Sequence, residues 1–184
     1  MKNSFFFLLL FLLGPALQLN IQAQSFMSEE GYAEFISSAP LLEFKGKSNN
    51  LAGLIDLDEN LVDFYIDLNT LDTGISLRNR HMRDNYLETA KYPYAEFTGK
   101  IIGTFDPELA EVQPVRVEGI FKIHGAKREL KIDGTIEPKE EGLFLKANWS
   151  VLLENYNIKR PQVIFYELAD EQKVSISMLL KPVN

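Results

Sequence analysis

From Tyr32 to the C-terminus, apolar and polar residues alternate with a period of two, the pattern of strands with one buried face. Val62, Phe64, Ile66 and Leu68 alternate with Asp63, Tyr65 and Asp67. Phe97, Gly99, Ile101, Gly103 and Phe105 form the next row, with Ile102 out of phase. Val115, Val117, Gly119, Phe121 and Ile123 oppose Arg116, Glu118 and Lys122. Leu130, Ile132, Gly134 and Ile136 oppose Glu129, Lys131, Asp133 and Glu137. A longer row runs through Leu143, Leu145, Ala147, Trp149, Val151 and Leu153, and a last one through Val174, Ile176, Met178 and Leu180. Weaker strands are expected at Tyr32–Ser37, Leu42–Lys47 and Leu51–Leu57. Turn residues separate them at Asp58-Glu59-Asn60, at His124-Gly125 and from Pro138 to Gly142.

Short consecutive strands with brief turns predict an antiparallel sheet, and closure into a barrel of about eight strands would remove its exposed edges. One segment breaks the order. Arg78 to Thr89 lacks period-two alternation and carries helix formers, with Met82 and Tyr86 four apart. It predicts one short α-helix near residues 78–89, ended before Tyr92-Pro93. The fold class is all-β, an antiparallel barrel with that single helix. An outer-membrane barrel shows the same alternation turned inside out, but it gathers aromatics at its rims, and here they are spread along the strands.

The beginning of the chain has a different character. Lys2 precedes an unbroken apolar run from Phe5 to Leu13, Gly14-Pro15 breaks it, and small Ala23 suits a cleavage position. That is the layout of a secretory signal peptide over residues 1–23, with a domain over 24–184 placed in the periplasm or secreted. The run is short for a membrane span. The chain has no cysteine, which excludes acylation after the leader and disulfide staples within the domain, so the core itself must hold the fold. A net charge of −7 argues against a nucleic-acid partner.

Glycines at Gly99, Gly103, Gly119 and Gly134 share the phase of the apolar rows. They either let strands bend and approach closely or leave room inside. Together with bulky inward groups, they outline a candidate apolar lumen lined by Phe64, Ile66, Phe97, Gly99, Ile101, Val117, Gly119, Phe121, Ile132, Gly134, Leu145, Trp149, Val151, Ile176 and Met178. Such a lining accepts hydrocarbon and rejects water, so a ligand would be an apolar chain. Arg78, Arg80 and His81 concentrate positive charge on the helical segment. They are candidates for a phosphate or quinone head group, or simply a solvated surface.

Catalytic signals are weak. Asp72-Thr73-Gly74 is the triplet of aspartic proteases, which need two such aspartates; it occurs once and is also ordinary turn chemistry. His81 and His124 lie on different elements, without the spacing of metal ligands. The Asn148-Trp149-Ser150 sequon falls within a strand. No enzyme activity and no metal or cofactor is expected.

Taken together, Leu71-Asp72-Thr73-Gly74, Arg78-Asn79-Arg80-His81-Met82 and Lys91-Tyr92-Pro93-Tyr94-Ala95-Glu96-Phe97 resemble the signature stretch of the YceI-like family. Val117 through Gly125 is similar to its next block, and Tyr156-Asn157-Ile158-Lys159-Arg160-Pro161 to its closing motif. Asn79 stands where the family usually has aspartate, and Met82 where it has leucine. The resemblance implies a lipocalin-like barrel, often exported, that binds polyisoprenoid lipids or isoprenoid quinones in its lumen for transport, storage or stress response. It implies no established enzymatic activity, and membrane contact that is only transient. A homodimer stays open. The alternative is a ligand-free periplasmic stress or interaction protein whose barrel is filled.

Overall fold

Alternation over eight segments becomes eight strands in the computed structural model, which describes residues 25–39, 42–159 and 168–183. The leader expected at 1–23 lies outside these residues, as do Arg160 and Pro161 of the closing motif. The strands are β1 (Ser25–Ala39), β2 (Leu42–Asp56), β3 (Leu61–Asp67), β4 (Tyr94–Ile102), β5 (Gln113–Ile123), β6 (Ala126–Lys139), β7 (Gly142–Leu152) and β8 (Glu171–Pro182). Each pairs antiparallel with the next, and β1 pairs with β8 to close the barrel. Closure gives every strand a neighbour on both sides, although β6 and β7 pair only over residues 134–139 and 142–147. The fold is the antiparallel barrel that the alternation predicts, and the lipocalin-like form that the family resemblance implies.

The order of the strands gives the barrel two different ends. The β1–β2, β3–β4, β5–β6 and β7–β8 connections gather at one end. The β2–β3, β4–β5 and β6–β7 connections gather at the other, near Ser25 and Val183. Apolar rows face inward and charged rows face outward, with cross-strand pairs such as Arg116–Asp133 at 2.7 Å and Lys131–Glu118 at 2.7 Å. That is the reverse of a membrane barrel, whose apolar rows face lipid.

Three expectations change. β1 and β2 run 15 residues each, far longer than the fragments expected in this region. Register shifts between Ser28 and Ala33 of β1 explain why: Ser48 opposes Ala33, whereas Leu51 opposes Gly31. The inward set of β2 therefore switches from Phe44, Gly46 and Ser48 to Leu51, Gly53 and Ile55, as a bulge requires. β4 ends at Ile102, which is 49% exposed, so Gly103 (φ +98°) falls in the following loop.

The helix is also shorter than expected. α1 spans Ser76–His81, and the chain then widens into a π-type turn over Met82–Tyr86, closed by Leu87 N–H donating to the Met82 carbonyl at 2.9 Å. Apolar spacing does not distinguish a π turn from an α turn. The two-residue turn at His124-Gly125 forms as its residues predict, with φ +52° and +74° suiting a type I′ hairpin.

Candidate ligand-binding site

The barrel encloses a cavity of about 220 Å³. An apolar cavity of about 150 Å³ already admits a benzene-sized molecule. Its deep wall is Ile55, Val62 and Ile136, each 1–2% exposed, and Leu143 and Leu180 pack within the same core. At the other end, Leu68, Leu71, Met82, Tyr86 and Leu87 of the β3–β4 connection cover it, joined by Leu153, Ile158 and Leu168 from the β7–β8 connection. Half-buried Arg78 and Phe44 also lie on the wall, so the cavity reaches the surface beside α1.

Twelve of the residues expected to line the lumen do so. Phe64, Ile66, Phe97, Ile101, Val117, Phe121, Ile132, Gly134, Leu145, Trp149, Val151 and Ile176 all border the cavity. Gly99, Gly119 and Met178 do not. Gly99 and Gly119 are paired across β4 and β5, and a Cβ on Gly99 would lie 2.5 Å from the Glu118 carbonyl oxygen and 2.9 Å from Gly119 Cα. These glycines let the two backbones approach rather than open space. Met178, 3% exposed, is seated over Gly31 and Gly53; a Cβ there would meet its Cε at 2.9 Å and its Sδ at 3.1 Å. Together with the Phe64 ring, which a Cβ on Gly53 would collide with, it fills the room those glycines leave.

The cationic segment divides as well. Arg78 stands on the cavity wall with its guanidinium carbon 4.5 Å from the Phe44 ring centroid, a cation–π contact that turns the arginine toward the rim. Arg80 and His81 are exposed and do not border the cavity. Residues two apart on an α-helix face different sides, which separates Arg80 from Arg78, whereas His81, three residues from Arg78, is the last residue of α1 and stays exposed.

The wall also holds residues outside the expected set: Val62, Val115, Ile136, Ala147 and Val174 lie in the regular apolar rows, Phe35 and Phe44 lie where the strand phase is broken, and Gln172 is polar. Phe35 and Phe44 pack edge to face at 6.0 Å on the bulged pair β1–β2, and Gln172 enters the wall at the start of β8. Two acidic residues border the cavity, and both are engaged. Tyr32 Oη donates to Glu34 at 2.7 Å, Lys45 pairs with Glu34 at 3.0 Å, and Lys122 pairs with Glu96 at 2.8 Å. The Tyr32 hydroxyl is the main reason the Glu34 carboxyl titrates below its ordinary range, with Lys45 adding to it.

The connections around the end beside α1 are tied together. His124 Nδ1–H donates to the Tyr156 carbonyl at 3.1 Å, its Nε2 stands 2.6 Å from Glu88 Oε2, and its ring meets Tyr92 at 4.8 Å. The carbonyl can only accept, which places a proton on Nδ1. Asp72-Thr73-Gly74 has a structural role too. Asp72 Oδ1 accepts from Asn79 Nδ2 at 2.7 Å and from Gly74 N–H at 2.8 Å, while Asn79 Oδ1 accepts from Thr73 N–H at 2.8 Å. These bonds, Asn79 foremost, hold the Asp72 carboxyl below its usual pKa. An aspartate whose carboxylate clasps its own turn is unlike a protease dyad, in which two aspartates share a proton.

Three solved structures have the same fold. A polyisoprenoid binding domain from Saccharophagus degradans, implicated in plant cell wall breakdown, superposes with a TM-score of 0.75 at 19% identity, over 88% of this chain and 100% of that one. Burkholderia cenocepacia BcnA gives 0.68 at 14% identity, over 83% and 96%. The Campylobacter jejuni YCEI protein gives 0.63 at 17% identity, over 80% and 89%. The comparison with curated proteins returned no match. The family model of the YceI-like domain matches residues 24–180, and the chain belongs to that family.

Proposed function

We propose that this protein is an exported carrier that holds a long isoprenoid-type chain, a polyisoprenoid or an isoprenoid quinone, in its lumen. The observation that carries the reading is the cavity's polarity along its axis: sealed and apolar at Ile55, Val62 and Ile136, open beside Arg78 at the other end. A hydrocarbon tail entering that lumen leaves water for apolar wall, and its polar end stays at the rim. The family assignment and the polyisoprenoid binding reported for the Saccharophagus degradans neighbour support the same ligand class. A leader over residues 1–23, cleaved before Gln24, would deliver the 24–184 domain to the periplasm or the medium.

Transient contact with a bilayer supplies the route for loading. Ile75 and Leu77, 48% and 56% exposed, project beside Arg80 and His81 at the open end. An apolar pair beside the Arg80 guanidinium suits an anionic membrane surface.

Protein made in its own host and extracted with organic solvent should release an isoprenoid lipid identifiable by mass spectrometry. Intact mass should begin at Gln24. Lipid-free protein that also fails to bind added isoprenoids would favour the alternative, a stress or interaction protein with a filled barrel.

A further inference from the structure

Two polar atoms in the lumen wall have no partner. Among the described residues, Trp149 Nε1 and Gln172 Oε1 are buried side-chain atoms that make no hydrogen bond. Buried polar groups in folded proteins are nearly always paired, so each such exception calls for a reason. Both residues border the cavity, and Gln172 is 6% exposed. Its amide orientation is set by its own bonding: Nε2 donates to the Ala169 carbonyl at 2.7 Å, which leaves Oε1 as the free acceptor. Ala169 is held in turn by Ser37, whose Oγ accepts from its N–H at 3.2 Å.

The two groups are neighbours. Val151 pairs with Gln172 and Trp149 with Val174 across β7 and β8, so Trp149 and Gln172 are diagonal residues on the inner face. Diagonal positions lie about 7–8 Å apart and are bridged by long and aromatic side chains. Trp149 is three residues from the end of β7, and Gln172 is the second residue of β8, so both sit in the part of the lumen nearest the open end. The acidic residues on the wall, Glu34 and Glu96, are already paired with Tyr32, Lys45 and Lys122, and the wall beyond is apolar.

We infer that this pair is the head-group subsite, and that it selects an uncharged hydroxyl. The inference rests on the reading of the lumen as a site for an isoprenoid-type chain. The indole N–H needs an acceptor and the amide oxygen needs a donor. A hydroxyl is both: its oxygen accepts from Trp149 while its proton goes to Gln172. A phosphate oxygen or a quinone carbonyl is an acceptor alone; it would satisfy Trp149 and leave Gln172 facing like polarity. The geometry therefore favours an isoprenoid alcohol, or the phenolic hydroxyl of a reduced quinone, with its tail toward Ile55, Val62 and Ile136. Since both atoms are closed to solvent, the two side chains turn toward the lumen when they take the ligand.

Three C20 probes test this: an isoprenoid alcohol, the same hydrocarbon without the hydroxyl, and the monophosphate. Trp149 is the chain's one tryptophan, so intrinsic fluorescence reports on this position alone. The alcohol should bind roughly 3- to 10-fold tighter than the hydrocarbon for each hydrogen bond made, and should shift Trp149 emission to longer wavelength. The phosphate should bind no tighter than the alcohol. Gln172→Leu and Trp149→Phe should each bring the alcohol-to-hydrocarbon affinity ratio toward one, read by native mass spectrometry. Trp149→Phe keeps the ring, so it decides the matter if Gln172→Leu fails to fold. Equal affinities for alcohol and hydrocarbon in the wild type, or tightest binding of the phosphate, would overturn the subsite. Failure of all three probes to bind would overturn the carrier reading itself, and the subsite with it.

Discussion

Gly119 faces Gly99 across the β4–β5 pair, and a Cβ at position 119 would collide with the Thr98 carbonyl and come within 2.5 Å of Gly99 Cα. Its role is close approach, so Gly119→Leu should cost about 1–3 kcal/mol of stability, as overpacking does, even in lipid-free protein. Thermal unfolding of the delipidated variant checks this, and an unchanged melting temperature would contradict it. Asp72 makes a pH-dependent contribution at the same scale. Its folded pKa is lowered, chiefly by Asn79, so its stabilisation is present at neutral pH and is lost as acid protonates it below the ordinary value of about 4. Asn79→Ala removes the main donor. The Asp72 carboxyl should then titrate at higher pH in an NMR titration, and the amides of Thr73 and Gly74 should exchange faster.

Between strands, the β3–β4 connection has two faces with different work. Met82 and Tyr86 line the cavity, while Ile75 and Leu77 point away from the core. Exposed side chains make small contributions to folding, usually within about 0.5 kcal/mol. Ile75→Ser with Leu77→Ser should therefore leave the melting temperature almost unchanged and weaken sedimentation with phosphatidylglycerol vesicles. Salt should weaken the wild-type interaction as well, because Arg80 contributes through charge. Undiminished sedimentation of the double variant would place membrane contact elsewhere. The existence of this element was legible, since Arg78–Thr89 lacks alternation. Its division into α1 and a π-type turn was not, because both conformations place residues four apart on roughly one side.

At the scale of the whole barrel, ligand and fold are linked. A chain bound in the lumen contacts strands from every part of the sheet, and a ligand that binds the folded state alone stabilises it by about 2.7 kcal/mol at 100 times its Kd. Delipidated protein should thus melt at lower temperature than protein reloaded with an isoprenoid alcohol, and the difference should grow with ligand concentration. A filled core would show no such dependence.

Covalent geometry alone sends successive side chains of a strand to opposite faces, so the alternating rows were enough to specify an antiparallel sheet, its inward residues from β3 to β8 and the hairpin at His124-Gly125. The recurrence of Leu71–Gly74, Arg78–Met82 and Lys91–Phe97 in order was enough to specify the family. Three-dimensional packing decided the rest. The register shifts in β1 depend on pairing with β2, and they alone bring Phe44 inward beneath Arg78. Whether an inward glycine makes a void depends on what lies across from it: a facing backbone at Gly99, Gly119 and Gly134, the Met178 side chain at Gly31, the Phe64 ring and Met178 at Gly53. Gln172 reads as one polar residue in a strand start until Ala169 takes its amide hydrogen and leaves its oxygen unpaired in the wall. Such features depend on contacts between residues distant in sequence, and a local pattern carries no record of them.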